Sequence, residues 1–257
     1  MNTITSKDNH LFKDAKKLKE RKYREEKGKF IIEGIRFVEE AVNANASIDK
    51  IFVSSSFSQK NKIFKWNDYD TYELKDVLFK ELCSTENPQG IAAVVNAKNE
   101  AISSGDGIYV LVDKLQDPGN MGTIIRTAHA VNASGVIYTA GTVDPYNDKT
   151  LRSTMGSIFY IPVMKDEKFE FLSKLKRDGY LLVVSALDAQ EDFYELDYTS
   201  KTIIAVGNEG NGISDEVLSK ADVKVKIPMP GGAESLNASV AASVMLYEVL
   251  RQNVKKA

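Results

Sequence analysis

Apolar positions in this chain follow two rhythms, and a polar stretch separates the region where they are mixed from the region where they alternate cleanly. In residues 10–27, Leu11, Ala15 and Leu18 share one side of a helix with basic residues around them. Residues 30–32 form a short apolar strand that Gly34 breaks, and residues 35–42 predict a helix with Phe37, Val38 and Ala41 inward. A strand at 51–53 runs into a Ser/Gln/Lys-rich turn. Short strands are expected at 63–65 and 69–74, a helix at 77–82, and a β-branched strand at 91–95 after the turn Asn87-Pro88-Gln89-Gly90. Residues 96–107 have no periodicity and the composition of a linker. Domains are therefore expected at 1–98 and 106–257.

The second half opens with residues 108–113, almost continuously apolar, as in a strand of a parallel sheet covered on both faces. Residues 136–139, 159–163, 181–186, 202–206 and 223–227 repeat that pattern. Helical patterns at 122–131, 169–177 and 214–220 lie between them. This alternation predicts an α/β domain with a mostly parallel sheet. The final helix, 238–250, is apolar on nearly all sides in its first half, which implies deep burial or a dimer interface.

Composition narrows the classes. With 43% hydrophobic and 27% charged residues, the chain is ordinary for a soluble globular protein. No run approaches the ~18 apolar residues of a membrane span, and the polar first ten residues lack the apolar segment of a secretory signal. The expected location is cytoplasmic. Cys83 is the single cysteine and His10 and His129 the only histidines, so no disulfide and no metal are expected. The net charge of −2 is unevenly spread. Residues 1–30 hold ten Lys/Arg against five Asp/Glu, a local +5, leaving −7 on the remaining 227. A solvated mixed-charge helix explains this; so does a phosphate-binding face. Charge alone favours the first.

Three turns carry candidate chemistry. Asp117-Pro118-Gly119-Asn120 precedes a helix whose core face is Met121, Ile124, Ile125, Ala128 and Val131. Asn120 is placed to cap that helix, and Arg126 and His129 share another face. Gly207-Asn208-Glu209-Gly210-Asn211-Gly212 follows the strand at 202–206, where open α/β sheets bind ligands. Ser214 is placed as the cap of the next helix. The glycine spacing is neither the dinucleotide fingerprint nor a P-loop. Residues 227–237 form the third turn, in which Ser235 and Asn237 read as caps or as site residues.

Together and in this order, the turns resemble the motifs of the SpoU/TrmH family of RNA methyltransferases. Residues 117–128 are similar to its first motif, 207–214 to its second, and 227–229 with 235–241 to its third; 144–147 and 152–156 are also family-like. Glu33-Gly34 and residues 85–90 are similar to a ribosomal-protein-like substrate-binding domain. The resemblance implies an α/β fold with a C-terminal trefoil knot and a homodimer. It implies transfer of a methyl group from S-adenosylmethionine to a ribose 2′-hydroxyl of RNA. The donor would be held through Gly207, Ile227 and Leu236, with Ser185 beside them. Arg126 would act on the attacking hydroxyl, with Asn120, Glu209, Ser235 and Asn237 around it. Lys16, Lys17, Arg21, Lys22 and Arg152 are the expected RNA contacts. The added first domain favours 23S rRNA, with tRNA the alternative.

Such chemistry depends on in-line positioning and on a weak nucleophile losing its proton during attack. Arginine stays protonated, so gripping a phosphate and polarising the hydroxyl suits Arg126 better than proton abstraction. Two rivals stand beside this reading: a nucleotide-binding dehydrogenase, which the glycine spacing disfavours, and a non-catalytic RNA-binding protein.

Overall fold

The computed structural model describes residues 2–60, 68–97, 107–198 and 201–254. The strand expected at 63–65 and most of the expected linker at 96–107 lie outside the described residues. The chain divides into two compact units, Met1–Asn99 with Tyr146–Phe159 and Glu100–Pro145 with Tyr160–Ala257.

The first unit runs β1 (Asn2–Ile4), α1 (His10–Lys17), α2 (Arg21–Lys27), β2 (Lys29–Glu33), α3 (Ile35–Asn43), β3 (Ile48–Ser54), α4 (Ser55–Lys60), β4 (Thr71–Leu74), α5 (Asp76–Leu82) and β5 (Ile91–Asn96). Its five-stranded sheet has the order β1-β4-β3-β5-β2. The pairs β1–β4 and β3–β4 are parallel, whereas β5 is antiparallel to both β3 and β2. Phe12, Ala15 and Leu18 bury against Phe52, Leu78 and Phe79 of the sheet and α5. Burying side chains the size of Phe12 and Leu18 contributes about 1.5–3 kcal/mol each.

The single helix expected over 10–27 is two helices. Leu18 ends α1, and the chain re-enters helix at Arg21. Arg24 turns inward and its guanidinium donates to Leu18 O (2.7 Å) and Lys19 O (2.8 Å), satisfying carbonyls that the helix end leaves orphaned. The Ser/Gln/Lys-rich turn expected after β3 is instead α4. Ser54 Oγ accepts from Phe57 N, an Asp76 carboxylate oxygen accepts from Ser56 N, and Phe57 is buried. The strand β1 has no alternating pattern long enough to reveal it.

Tyr146–Phe159, which the sequence pattern assigns to the second domain, packs with the first unit. The reason is aromatic. Tyr146 stacks on Phe30 with centroids 4.8 Å apart, and Phe159 lies 5.4 Å from Phe37.

The second unit contains β6 (Ile108–Val112), α6 (Pro118–Ala130), β7 (Gly135–Tyr138), β8 (Val163–Lys165), α8 (Glu170–Arg177), β9 (Leu181–Ser185), β10 (Glu191–Asp192), β11 (Thr202–Val206), α9 (Asp215–Leu218), β12 (Val223–Lys226) and α10 (Ala238–Val254); α7 (Asp148–Thr154) belongs to the inserted segment of the first unit. The seven strands form one sheet, β10-β12-β9-β11-β6-β7-β8, in which every pair is parallel. Every residue of β6 and β11 is buried, matching their unbroken apolar runs. Leu172, Leu175 and Val217 cover one face, while α6 and α10 pack on each other and α10 on β11. The strand expected at 159–163 starts only at Val163, because Ser157–Phe159 forms a 3-10 turn. The fold is α/β with a mostly parallel sheet, preceded by a small α/β domain. Because β6 has β7 on one side and β11 on the other, the strand order reverses there; the first two motif turns leave the carboxyl ends of the neighbours β6 and β11, and the third leaves that of β12.

Candidate active site

Asp117 caps α6 with Pro118 at its first position, accepting from Asn120 N at 2.8 Å. Asn120 is therefore not the cap expected from sequence but lies one turn into the helix, 9% exposed. That depth frees its amide for a longer connection. Its Nδ2 donates to Glu209 Oε1 (3.1 Å), and its Oδ1 accepts from Asn237 Nδ2 (2.9 Å) and Ser239 Oγ (3.2 Å). Asn237 in turn accepts from Ser239 N (2.9 Å) and Val240 N (3.4 Å), which caps α10. The first, second and third motifs are thus joined by one chain of side-chain hydrogen bonds.

Glu209 anchors that chain. Besides Asn120, its carboxylate accepts from Gln116 N (3.1 Å) and Asp117 N (3.0 Å). Burial opposes ionisation, but the Asp117 backbone N–H and the Asn120 amide outweigh it and hold the carboxyl below the usual range. The second motif also folds on itself: Asn208 Oδ1 accepts from Gly210 N and Asn211 N, both at 2.9 Å. A Cβ at Gly207 would meet Gly212 O at 2.2 Å and Ile213 N at 2.5 Å, so this glycine is required by the turn's own closure. The hydroxyl of Ser214 caps nothing and is buried without a partner among the described residues. Its backbone N–H is held by buried Asp113 at 2.7 Å, which also accepts from Thr139 Oγ1.

Beyond the carboxyl ends of β9, β11 and β12 lies a cavity of about 650 Å³. Gly207, Ile227, Leu236 and Ser185, the positions expected to hold the methyl donor, all line it. Ile213, Leu218 and Met229 give it apolar walls. The main-chain groups of Gly207, Ile227 and Leu236 form no hydrogen bond with other described residues. Its ionisable lining is Asp188, Glu209 and Glu234 against Lys226, a net negative set. S-adenosylmethionine, with an adenine to sandwich, edges to meet backbone groups and a positively charged sulfonium, fits this donor set and size. Among the described residues no His/Cys/Asp/Glu group is arranged to hold a metal ion, and none of their helices is long and apolar enough to cross a membrane.

The expected residues are only partly gathered. Asn120, Glu209 and Asn237 form the network, and Ser235 lines the cavity. Arg126 does not line it; it is exposed on α6 with no hydrogen-bond or ion-pair partner among the described residues. In the first unit, Lys16 pairs with Glu81 (3.1 Å), Arg21 with Glu25 (2.9 Å) and Arg152 with Asp148 (3.1 Å). Lys17 lies over the Tyr23 ring, and Lys22 is exposed without an ion pair among the described residues. Sequence reasoning missed Asp117, Asn208 and Ser239. The Asp-Pro pair before a helix is a readable signal for the first, and an asparagine two residues before a glycine for the second; the contact of Ser239 with Asn120 is one no local pattern shows. Cys83 is no nucleophile, since burial pushes its thiol up to about 12.

Residues 107–247 match the model of the SpoU rRNA Methylase family, and residues 9–93 that of an MRM3-like substrate binding domain. A 23S rRNA (guanosine(2553)-2′-O)-methyltransferase, RlmP, of Bacillus subtilis is 36% identical over 97% of this chain and 99% of its own length. A 23S rRNA (uridine(2479)-2′-O)-methyltransferase of Streptomyces viridochromogenes is 29% identical over 98% of this chain and 92% of its own. An AdoMet-bound rRNA methyltransferase from Sinorhizobium meliloti superposes with a TM-score of 0.82 at 31% identity, covering 97% of each chain. With motifs, fold and cavity in agreement with these matches over nearly its whole length, the chain belongs to the SpoU rRNA methylase family.

Proposed function

We propose that this protein transfers the methyl group of S-adenosylmethionine to a ribose 2′-hydroxyl of 23S rRNA in the cytoplasm. The observation that carries the reading is the Glu209–Asn120–Asn237 connection beside a cavity rimmed by free main-chain groups. When bound, the donor supplies an electrophilic methyl group on a sulfonium centre. The residues of the chain hold and shield it: backbone groups of Gly207, Ile227 and Leu236 hold the donor, Ser185 flanks it, and Ile213 and Met229 exclude water. Glu209 is no proton acceptor, because three N–H donors occupy its oxygens. It fixes Asn120, which fixes Asn237 and so the third turn. The Ser235 hydroxyl, without a hydrogen bond among the described residues, is free to meet the incoming sugar. Arg126 supplies positive charge to an RNA phosphate and to the hydroxyl as it ionises.

Arg126 lies outside the cavity of a single copy, which favours a homodimer that completes the site. Val240, Tyr247 and Val254, spaced seven apart on α10 and 47%, 52% and 66% exposed, offer an apolar face for it. Membership of the family supports a trefoil knot around the third motif. Mapping 2′-O-methyl groups in rRNA and tRNA, with and without the protein, tests the reaction. One 23S rRNA site that disappears and returns on complementation is the expected result; a map unchanged in both RNAs overturns it. Sedimentation of Tyr247→Glu against wild type tests the dimer, with a monomer expected only for the variant.

A further inference from the structure

The second motif also walls a further cavity of about 550 Å³, which no step of the proposed reaction uses. Asn208, Asn211 and Gly212 line both it and the donor cavity, whereas Lys114, Gln116, Gly141 and Ser214 line it alone. The two cavities differ in sign. The donor cavity carries more acids than bases, and this one carries Lys114 and no acidic side chain. The acids that flank it in sequence have their oxygens occupied: Asp113 accepts from Ser214 N and Thr139 Oγ1, and Glu209 from three N–H donors. A cationic donor and an anionic strand would therefore sort into neighbouring cavities.

Lys114 is built into place. It lies just past β6 with φ 51°, in the left-handed region, and no helix end accounts for that conformation. Three hydrogen bonds hold the backbone there. Its N–H donates to Thr139 Oγ1 (3.1 Å), and its carbonyl accepts from Gln116 Nε2 (2.9 Å) and Asn208 Nδ2 (3.0 Å). Strain that the surroundings enforce in this way gathers at binding positions. The side chain runs against Gly141, with Cγ 3.6 Å from where a Cβ there would stand. Its ammonium has no ion pair or hydrogen bond among the described residues. The groups beside it are donors as well. The Ser214 hydroxyl is buried without a partner among the described residues; such hydroxyls are rare, and a ligand oxygen would satisfy this one. The Gly141 N–H and the Asn211 side-chain amide are also unbonded among the described residues. An ammonium, a hydroxyl, a backbone N–H and an amide around one cavity are what hold a phosphate.

We infer that this cavity holds the RNA phosphate next to the ribose that is methylated, with Lys114 supplying the opposite charge. The inference rests on the methyltransferase reading above. The phosphate 3′ to a ribose is attached beside its 2′-hydroxyl, so a phosphate site that shares a wall with the donor cavity sets how the hydroxyl meets the methyl group. Arg126 lines neither cavity, so the two cations hold different points of the strand.

Lys114→Asn removes the charge and suits the left-handed backbone, and Ser214→Ala removes a hydroxyl with no internal bond among the described residues, so both variants keep the fold. The full chain is assayed with a 23S rRNA transcript and S-adenosylmethionine. Lys114→Asn should raise KM for the RNA about tenfold, the loss of one hydrogen bond to a charged group. The slope of log K against log salt should flatten by about 0.7–0.9. Ser214→Ala should raise KM about threefold, and Lys114→Arg, which still binds phosphate, should keep most of the affinity. Donor affinity should stay that of wild type in all three. Wild-type KM and salt slope in Lys114→Asn overturn the inference, as does weakened donor binding, which would mean that Lys114 only shapes the turn. If inorganic phosphate raises the melting temperature of wild type but not of Lys114→Asn, while KM is equal, the cavity takes a free anion and the inference fails. These outcomes concern the phosphate site alone when wild type is active; a wild type that methylates neither 23S rRNA nor tRNA removes the methyltransferase reading as well.

Discussion

In the second unit polar side chains reach across long stretches of chain: Asn120 meets Glu209 over 89 residues and Asn237 over 117. In the first unit several basic residues find partners nearby. Arg21 pairs with Glu25, Lys13 with Asp8 and Lys27 with Glu26, and Arg24 turns onto its own helix end. A long-range network fixes position, so removing one member displaces several others. A set of local, exposed pairs contributes mainly its summed field, in which single members matter little. Substitutions should therefore act sharply in one unit and gradually in the other.

The largest effect in the second unit is expected at Arg126, which has no partner among the described residues whose loss would confuse the result. Arg126→Ala should lower the methylation rate about 10²–10³-fold, the scale of losing one electrostatic stabiliser, with S-adenosylmethionine affinity unchanged. Arg126→Lys should fail similarly, because an ammonium lacks the planar fork. Single-turnover rates beside calorimetric donor titrations decide this. A variant with wild-type rates would remove Arg126 from the catalytic set.

Gly207→Ala comes next. Its Cβ would overlap the Gly212 carbonyl, so the second motif must open. About 1–3 kcal/mol of stability should be lost, the usual cost of overpacking, together with most donor binding. Retained donor affinity would mean that the turn tolerates opening and that its closure does not shape the cavity.

The sheet was readable because its strands are buried on both faces: the apolar runs beginning at Ile108 and Thr202 match β6 and β11. The three turns were readable because Pro, Gly and Asn have few uses at strand ends. What stayed hidden depended on distance. Nothing local shows that Asn120 gives up the cap to Asp117 and reaches Asn237, or that Arg24 spends its charge on Leu18 and Lys19. Tyr146 and Phe159 read as part of the second domain because the Phe30 and Phe37 rings they pack against lie more than a hundred residues away. The gathering of Asn120, Glu209 and Asn237 likewise came from the family resemblance, not from spacing.

Glu209→Gln should have a smaller, pH-dependent effect. An amide must turn one NH₂ toward backbone N–H groups that now meet a carboxylate. The expected cost at neutral pH is about 1–2 kcal/mol, toward the lower end for a solvent-exposed site. The folded-state carboxyl is held below its ordinary range, so its stabilisation is complete above that range and is lost as pH falls through the depressed value. Denaturant unfolding should show a constant gap between wild type and variant from about pH 5 upward, closing in more acid solution. A gap of the same size at pH 3 would mean that shape, not charge, holds the loop.

The smallest effect is expected in the basic face of the first unit, where the structure changes which residues to test. Lys16 and Arg21 are tied to Glu81 and Glu25, so reversing them would break those pairs as well as alter the field. Lys17 and Lys22 are exposed and form no ion pair among the described residues, which makes Lys17→Glu/Lys22→Glu the cleaner probe. If both meet phosphates, RNA affinity should fall and the slope of log K against log salt should flatten by about 0.7–0.9 per lost contact. Donor affinity should stay constant, because the donor cavity is lined entirely by the second unit. Competition from a scrambled RNA should be affected equally, since phosphate contacts carry no sequence information. Identical salt slopes in variant and wild type would mean that α1 and α2 face solvent, and that the first unit holds RNA elsewhere.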